Sequence, residues 1–467
     1  MAHASSDPSF VTGSLMRHVS VMSLTSSIGL MAIFAVDLID ILFISMLGQD
    51  ALAAAAGYAS TVMFFASAIN IGLSIAAGAL VSRALGSRTD DRARELAASV
   101  AVFAAIVGLL VPLVALPNLP FLLALIGAEG EIAAAAERYL WIILPTTALS
   151  GLGMTAVAVL RAYGDGNRAM YPALVGGGVN AVLDPILIFS LGLGLDGAAI
   201  ATVLARLATM LTAFYPAIRR YGAFVLPSPQ CVMRDFRVAL QIAVPAVLAT
   251  IATPVGVAIV TREMAKHGTD AVAALAVINR MTPVVFAVVL ALSGSLGPII
   301  GQNFGAGQMG RVRTAFFDGL IFVGLYVVVV SVLLFALRAP IADLFDATGG
   351  MRMLIFLFCG PLALATFFNG AIFVANASFN NLGHPSYSTW INWGRHTLGT
   401  WPLAMAGGAL WGASGVLIGQ AVGGVIFAGI AIWLSLRLIG DPSDRPRKVS
   451  FRHKDLRMHV VCNRGHR

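Results

Sequence analysis

Three carboxylates, Asp37, Asp40 and Asp184, fall inside long apolar runs of this 467-residue chain. A charge at the centre of a membrane-crossing helix costs about 3 kcal/mol even on insertion scales, so an acid kept there is a functional candidate by default. Asp40 and Asp184 each precede a glycine, Gly48 and Gly192, by eight residues at the same end of their runs. At 1.5 Å per helical residue both lie about 12 Å from that end and can meet at one depth. Asn180 is one turn below Asp184 on the same face, Asp37 is one turn below Asp40, and Thr202 enters the next run far enough to reach this level. Two carboxylates, an amide oxygen and a hydroxyl make a hard oxygen set that fits sodium, while the same acids, desolvated and mutually repelling, can instead hold a proton. Residue types leave both ions open. Asp40, Asn180, Asp184 and Thr202 are the candidate cation-coupling set and the place for a sodium ion, with Asp37 as a secondary candidate. The bland alternative is a structural ion pair between an acid and Arg206, one turn from Thr202.

These residues must be positioned by helices in lipid. With 58% hydrophobic and 11% charged residues and a mean hydropathy of +0.87, the chain lacks the charge to cover a water-facing surface. A span takes about 20 apolar residues, because its backbone must satisfy its own hydrogen bonds across hydrocarbon. The predicted fold is an all-α membrane protein of about twelve transmembrane helices. They are expected near 20–47, 52–82, 95–116, 134–160, 171–191, 197–218, 237–261, 272–300, 313–337, 353–380, 386–408 and 412–436.

The halves repeat at an offset of about 220 residues. Gly48-Gln49-Asp50-Ala51 answers to Gly268-Thr269-Asp270-Ala271, Arg92-Ala93-Arg94 to Arg311-Val312-Arg313, and Leu195-Asp196-Gly197-Ala198 to Leu410-Trp411-Gly412-Ala413. The expected organisation is an N-terminal segment 1–19, an N-lobe of six helices 20–221, a linker 222–236 marked by Pro227 and Pro229, a C-lobe of six helices 237–438 and a basic tail 439–467. Arg83, Arg88, Arg92, Arg161, Arg168, Arg219, Arg234 and Arg311 share one side of this threading, against Arg138, Arg262, Lys266, Arg338 and Arg352 on the other. The positive-inside rule then puts both termini in the cytoplasm, in the cell inner membrane.

The landmarks resemble the multidrug and toxic compound extrusion (MATE) family, and its DinF-like branch in particular. The resemblance rests on Asp40 to Gly48 with Ala53-Ala54, on Leu160-Arg161-Ala162-Tyr163-Gly164-Asp165, on Asn180 with Leu183-Asp184-Pro185, and on Gly197-Ala198-Ala199-Ile200-Ala201-Thr202, in that order. It implies efflux of organic, often cationic or amphipathic compounds, driven by protons or sodium ions through alternating access. It also carries the cation role onto Asp40, Asn180, Asp184 and Thr202. Family members often have a proline in the first helix upstream of its acid; here that region reads Leu24-Thr25-Ser26-Ser27, so Ser26, Ser27 and Gly29 are the expected points of weakness.

The second half lacks matching acids and places Arg280, Asn369, Asn376 and Arg395 within its spans, with His396 beside Arg395. Substrate contact is one reading of these residues, and arginine bonded to helix-end carbonyls is another. A flippase for a lipid-linked or amphipathic molecule is the alternative to an exporter. An enzyme is not expected: no nucleophile, base or metal constellation accompanies His396, and no phosphate-binding loop is present. The +8 charge sits singly at helix ends without a recognition module, so nucleic acid is not an expected partner. The expected partners are small organic substrates and the lipid bilayer, with no cofactor beyond the coupling ion and a monomer as the working state.

Overall fold

Backbone groups in hydrocarbon find partners only within a helix or a closed barrel, and the computed structural model takes the helical solution. It describes residues 8–47, 50–225 and 227–440, among which there is no strand. Most of the basic tail, the first seven residues, Gly48 and Gln49 of the repeat motif and Leu226 of the expected linker lie outside the described residues.

The first half comprises α1 (Leu15–Ser45), α2 (Asp50–Gly86) and α3 (Asp90–Ala115), the last continued by α4 (Leu119–Leu125). Next come α5 (Gly130–Ile143) and α6 (Thr147–Ala162), joined across a 3-10 turn at Leu144–Thr146, then α7 (Gly166–Pro185) with a π turn at Ile186–Ser190, and α8 (Gly194–Tyr221). The second half has α9 (Pro229–Ala265), α10 (Thr269–Val285), α11 (Ala287–Gly305) and α12 (Met309–Leu344). A π turn at Phe358–Leu362 links α13 (Gly349–Leu357) to α14 (Ala363–Leu382), and α15 (Ser386–Gly394) runs through another at Arg395–Gly399 into α16 (Trp401–Gly440).

Eleven runs among the described residues are long and apolar enough to cross a membrane. The longest, Ser386–Gly440, is two crossings. Trp411 and Gly412 leave helical geometry, and Gly412 takes φ 59° with ψ −145°, which a side chain would oppose. A Cβ on Gly415 would overlap Gly407, one on Gly419 would overlap Leu403, and one on Gly423 would overlap Gly399. Each of these pairs is equidistant from Trp411, the signature of an antiparallel hairpin packed backbone to backbone. The expected single span 272–300 is instead broken at Phe286 (φ −105°, ψ 24°), between α10 and α11. Pro283 lies just before the break and contributes no N–H to the ladder.

The chain forms two compact units, one containing Ile28–Val247 and the other containing Phe10–Ser27 with Leu248–Gly440. In the first, small residues of α2, α3 and α6, among them Ala76, Ala97 and Ala162, are fully buried and let the helices approach closely. The start of α9 is tied to α3 by a buried charge cluster: the Arg92 guanidinium donates to both Asp235 carboxylate oxygens, Ser99 Oγ donates to Asp235 Oδ2 at 2.8 Å, and Arg234 Nε donates to Oδ1 at 3.0 Å. The core of the second unit lies among α11, α12 and α14 around Ile299, Phe316 and Phe379. There Arg311 gathers the segment before α1, donating to the carbonyls of Phe10, Thr12 and Gly13 and to Asn303 Oδ1. Arg92 and Arg311, matched by the sequence repeat, thus each anchor the start of one half's first helix.

Asp165 caps α7, accepting from Arg168 N at 3.2 Å, Arg168 Nη1 at 2.7 Å and the Tyr221 hydroxyl at 2.7 Å. Burial raises this carboxyl, but those hydrogen bonds outweigh it and hold it below its ordinary value. A lowered folded value means the stabilisation is complete above the unfolded value of about 4 and is lost as pH falls through the folded one. Asp165→Ala should cost about 1 kcal/mol at pH 7, a difference that melting curves in detergent should show shrinking as pH drops below 4. In the same assay Gly419→Ala should unfold or severely destabilise the α16 hairpin, whereas Gly429→Ala, where a Cβ meets nothing within 4 Å, should be neutral or mildly stabilising.

Candidate functional site

Glycines on α7 bring the acids together. A Cβ on Gly176 would overlap Thr209 of α8, and one on Gly177 would come within 2.9 Å of Val36 on α1. On α1, Gly29 faces Ala173 with room for a Cβ only at 3.3 Å. Contacts therefore advance along α1 and α7 in the same direction, from Gly29 with Ala173, through Val36 with Gly177, to Asp40 with Asn180. Of the three consecutive glycines 176–178, Gly178 alone would meet nothing within 4 Å.

At the end of this ladder Asn180 Nδ2 donates to Asp40 Oδ1 at 2.8 Å and to Asp184 Oδ2 at 2.7 Å. One amide spends both its hydrogens on two carboxylates, which leaves its oxygen as an acceptor. The two carboxyl groups are close enough for their charges to act on each other directly. Asp184 is fully buried and Asn180 4% exposed, while Asp40 is half-buried. Asp184 Oδ1 has no hydrogen-bond partner. A buried carboxylate oxygen without a donor costs several kcal/mol, roughly, unless a proton or a cation sits on it. Past Asp184 the helix loosens: Pro185 has no N–H, and the π turn Ile186–Ser190 follows. Such turns recur at functional positions because they widen the backbone and free its groups.

Thr202 bonds its own helix, donating to Ala198 O at 3.0 Å, and the Tyr139 hydroxyl lies near it and near both acids. Tyr139 was not among the expected residues. Its signal was a hydroxyl five residues inside the expected span 134–160, at a depth comparable to the acids. Arg206 turns away from an ion pair: its Nη1 donates to Thr146 Oγ1 at 2.8 Å and to Ile143 O at 3.3 Å, across the turn between α5 and α6. Pro145 interrupts the helical ladder there, and Arg206 ties the turn together from α8. Asp37 is exposed and forms no hydrogen bond with the cluster.

In the second unit, Asn369 and Asn376 are half-buried on α14, and Asn376 Oδ1 is buried without a partner. Arg280 is exposed on α10, and Arg395 is half-buried on the π turn after α15. Among the described residues neither arginine forms an ion pair. His396 is buried against Gly256 of α9.

The MatE family model matches the chain twice, over residues 26–186 and 245–406. The chain belongs to the MATE family. The paired match repeats the offset of the sequence landmarks, and it makes the protein a membrane transporter and not an enzyme. This MATE chain is 29% identical over 432 residues to the FAD transporter of Shewanella oneidensis, covering 90% of this chain and 94% of that protein. It is 26% identical over 332 residues to the multidrug export protein MepA of Staphylococcus aureus, covering 69% of this chain and 72% of that one. The fold of the Vibrio cholerae MATE transporter VcmN, solved in a bent form, superposes with a TM-score of 0.85 at 26% identity, covering 91% of this chain and 97% of that one. The two family matches begin at Ser26 and Pro245, and the chain passes between its compact units one or two residues later, at Ser27–Ile28 in α1 and Val247–Leu248 in α9. In α1 that passage carries Thr25 and Ser27 hydroxyls bonded back to Val21 O and Leu24 O, a pattern that loosens a helix.

The different surroundings of Arg206 and Asp184 give opposite stability effects. Arg206→Gln should lower the melting temperature of this MATE protein in detergent, because it strips donors from the α5–α6 turn. Asp184→Asn should melt at or above wild type, because a neutral amide replaces an acid with an unpartnered oxygen.

Proposed function

We propose that this chain is an ion-coupled antiporter of the DinF-like branch, exporting organic, often cationic or amphipathic compounds across the cytoplasmic membrane by alternating access. Protons or sodium ions load at Asp40, Asn180 and Asp184, with Thr202 and Tyr139 at the edge. The observation that carries this reading is the buried Asp184 Oδ1 without a donor, beside a second carboxyl held by the same amide. A proton or a sodium ion satisfies that oxygen and removes the repulsion between the acids. Ion binding drives transport only if it favours one conformation over another, and a cargo that favours the other then competes without touching the ion.

In this reading the lobes are 20–221 and 237–438 with the connection 222–236 in the cytoplasm, both termini are cytoplasmic, and the monomer is the working unit. The arginine distribution supports that orientation. Asp37, exposed one turn away, belongs to the ion's approach. Arg280, Asn369, Asn376 and Arg395 are the cargo-facing candidates, since the second unit holds polar groups without acids to pair them.

A second reading of the cargo, an anionic amphiphile or lipid-linked molecule, is favoured by Arg395, an arginine on a spanning segment without an ion pair, together with the likeness to a protein named as an FAD transporter. Efflux from everted vesicles tests both levels. Asp40→Asn and Asp184→Asn should each reduce uphill efflux roughly tenfold or more under imposed proton and sodium gradients alike; wild-type rates in both variants would refute the site. Export of FAD in place of a cationic dye, lost in Arg395→Gln, would select the second cargo.

A further inference from the structure

On the second unit, a groove of about 670 Å³ opens where α9 ends beside the π turn that leads into α16. Its walls come from Ile259 and Arg262 on one side and Leu398, Trp401, Pro402 and Met405 on the other, with Glu263 and Thr397 completing the lining. The helical stack is broken here twice, by the π turn Arg395–Gly399 and by Pro402, which has no N–H to give. The polar members of the lining are already spent. Thr397 Oγ1 donates to Trp393 O at 2.7 Å, and both Glu263 carboxylate oxygens are taken by Lys266 Nζ at 2.8 and 2.7 Å. What remains is an apolar trough and one charge. Leu398, Trp401 and Met405 are 74%, 54% and 45% exposed. Arg262 is exposed in the last turn of α9 and has no ion pair among the described residues.

An exposed apolar trough on a membrane-spanning helix faces hydrocarbon, so its surroundings supply the occupant. A single uncompensated arginine at the end of a span, with a tryptophan beside it, is the arrangement that meets a phosphate at headgroup depth. We propose that this groove binds one anionic bilayer phospholipid, with an acyl chain along Trp401, Pro402 and Met405 and the phosphate on Arg262. The charge decides between amphiphiles: an organic cation would be repelled by Arg262, and a zwitterionic lipid, whose own ammonium offsets its phosphate, would be held less tightly than an anionic one.

Native mass spectrometry of the full chain, delipidated and then titrated with phosphatidylglycerol or phosphatidylcholine, tests the proposal. The wild type should retain one phosphatidylglycerol in preference to phosphatidylcholine, and Arg262→Gln should weaken that adduct about tenfold and erase the preference, while Arg262→Lys keeps most of it. Leu398→Trp, which fills the trough from an exposed position, should weaken both lipids. Equal retention of both lipids by the wild type, or an unchanged phosphatidylglycerol adduct in Arg262→Gln and Leu398→Trp, would overturn it.

Discussion

An acid buried among membrane-spanning helices has to be given a partner, and the partner of Asp184 is another acid, shared through one asparagine. Asn180 reaches Asp40 and Asp184 with the two hydrogens of a single amide, so neither carboxylate gains a full charge's worth of compensation. The Oδ1 of Asp184 is left bare. Low dielectric magnifies both the repulsion between the acids and their attraction for any cation that enters. A proton or cation on such a cluster relieves its repulsion, and the proposed ion coupling rests on that property.

Much of the first unit serves to hold that cluster. Gly176 and Gly177 let α7 lie against α8 and α1, which sets Asn180 opposite Asp40. Arg206 braces the α5–α6 turn, which fixes the end of α5 that carries Tyr139. The two helices that pass from one compact unit to the other, α1 and α9, do so at matched places in the repeat, one softened by Thr25 and Ser27 and the other just after Pro245. Their starting ends are anchored by matched arginines, Arg92 through Asp235 and Arg311 through main-chain carbonyls. One device holds a side chain and the other a backbone, so repetition preserved the anchor while its partner changed.

Asp40, Asn180 and Asp184 were legible in the sequence because a charge in an apolar run stands out, and because helical rise alone matches their depths. The crossings were legible because uninterrupted apolar length stands out, although hydropathy does not register the kink of the eighth crossing at Phe286, just after Pro283. The alternative of an acid paired with Arg206 fails because sequence distance to Thr202 says nothing of the α5–α6 turn, whose Thr146 hydroxyl and Ile143 carbonyl take its Nη1 instead. Tyr139 escaped notice since its neighbours arrive from three other helices, and Arg92, counted as a topological charge, proved to be buried against an Asp235 more than a hundred residues away. Local pattern shows what a helix carries; it does not show which helix faces it.

The central claim is that the Asp40–Asp184 pair itself takes up the coupling ion, and infrared difference spectroscopy of the purified protein sees this without any transport assay. Lowering pH in sodium-free buffer should produce a protonated-carboxyl band, adding sodium should diminish it if sodium enters the same cluster, and the band should vanish in both Asp40→Asn and Asp184→Asn. The same band, unchanged in the two variants, would place the titrating acid elsewhere and contradict the account.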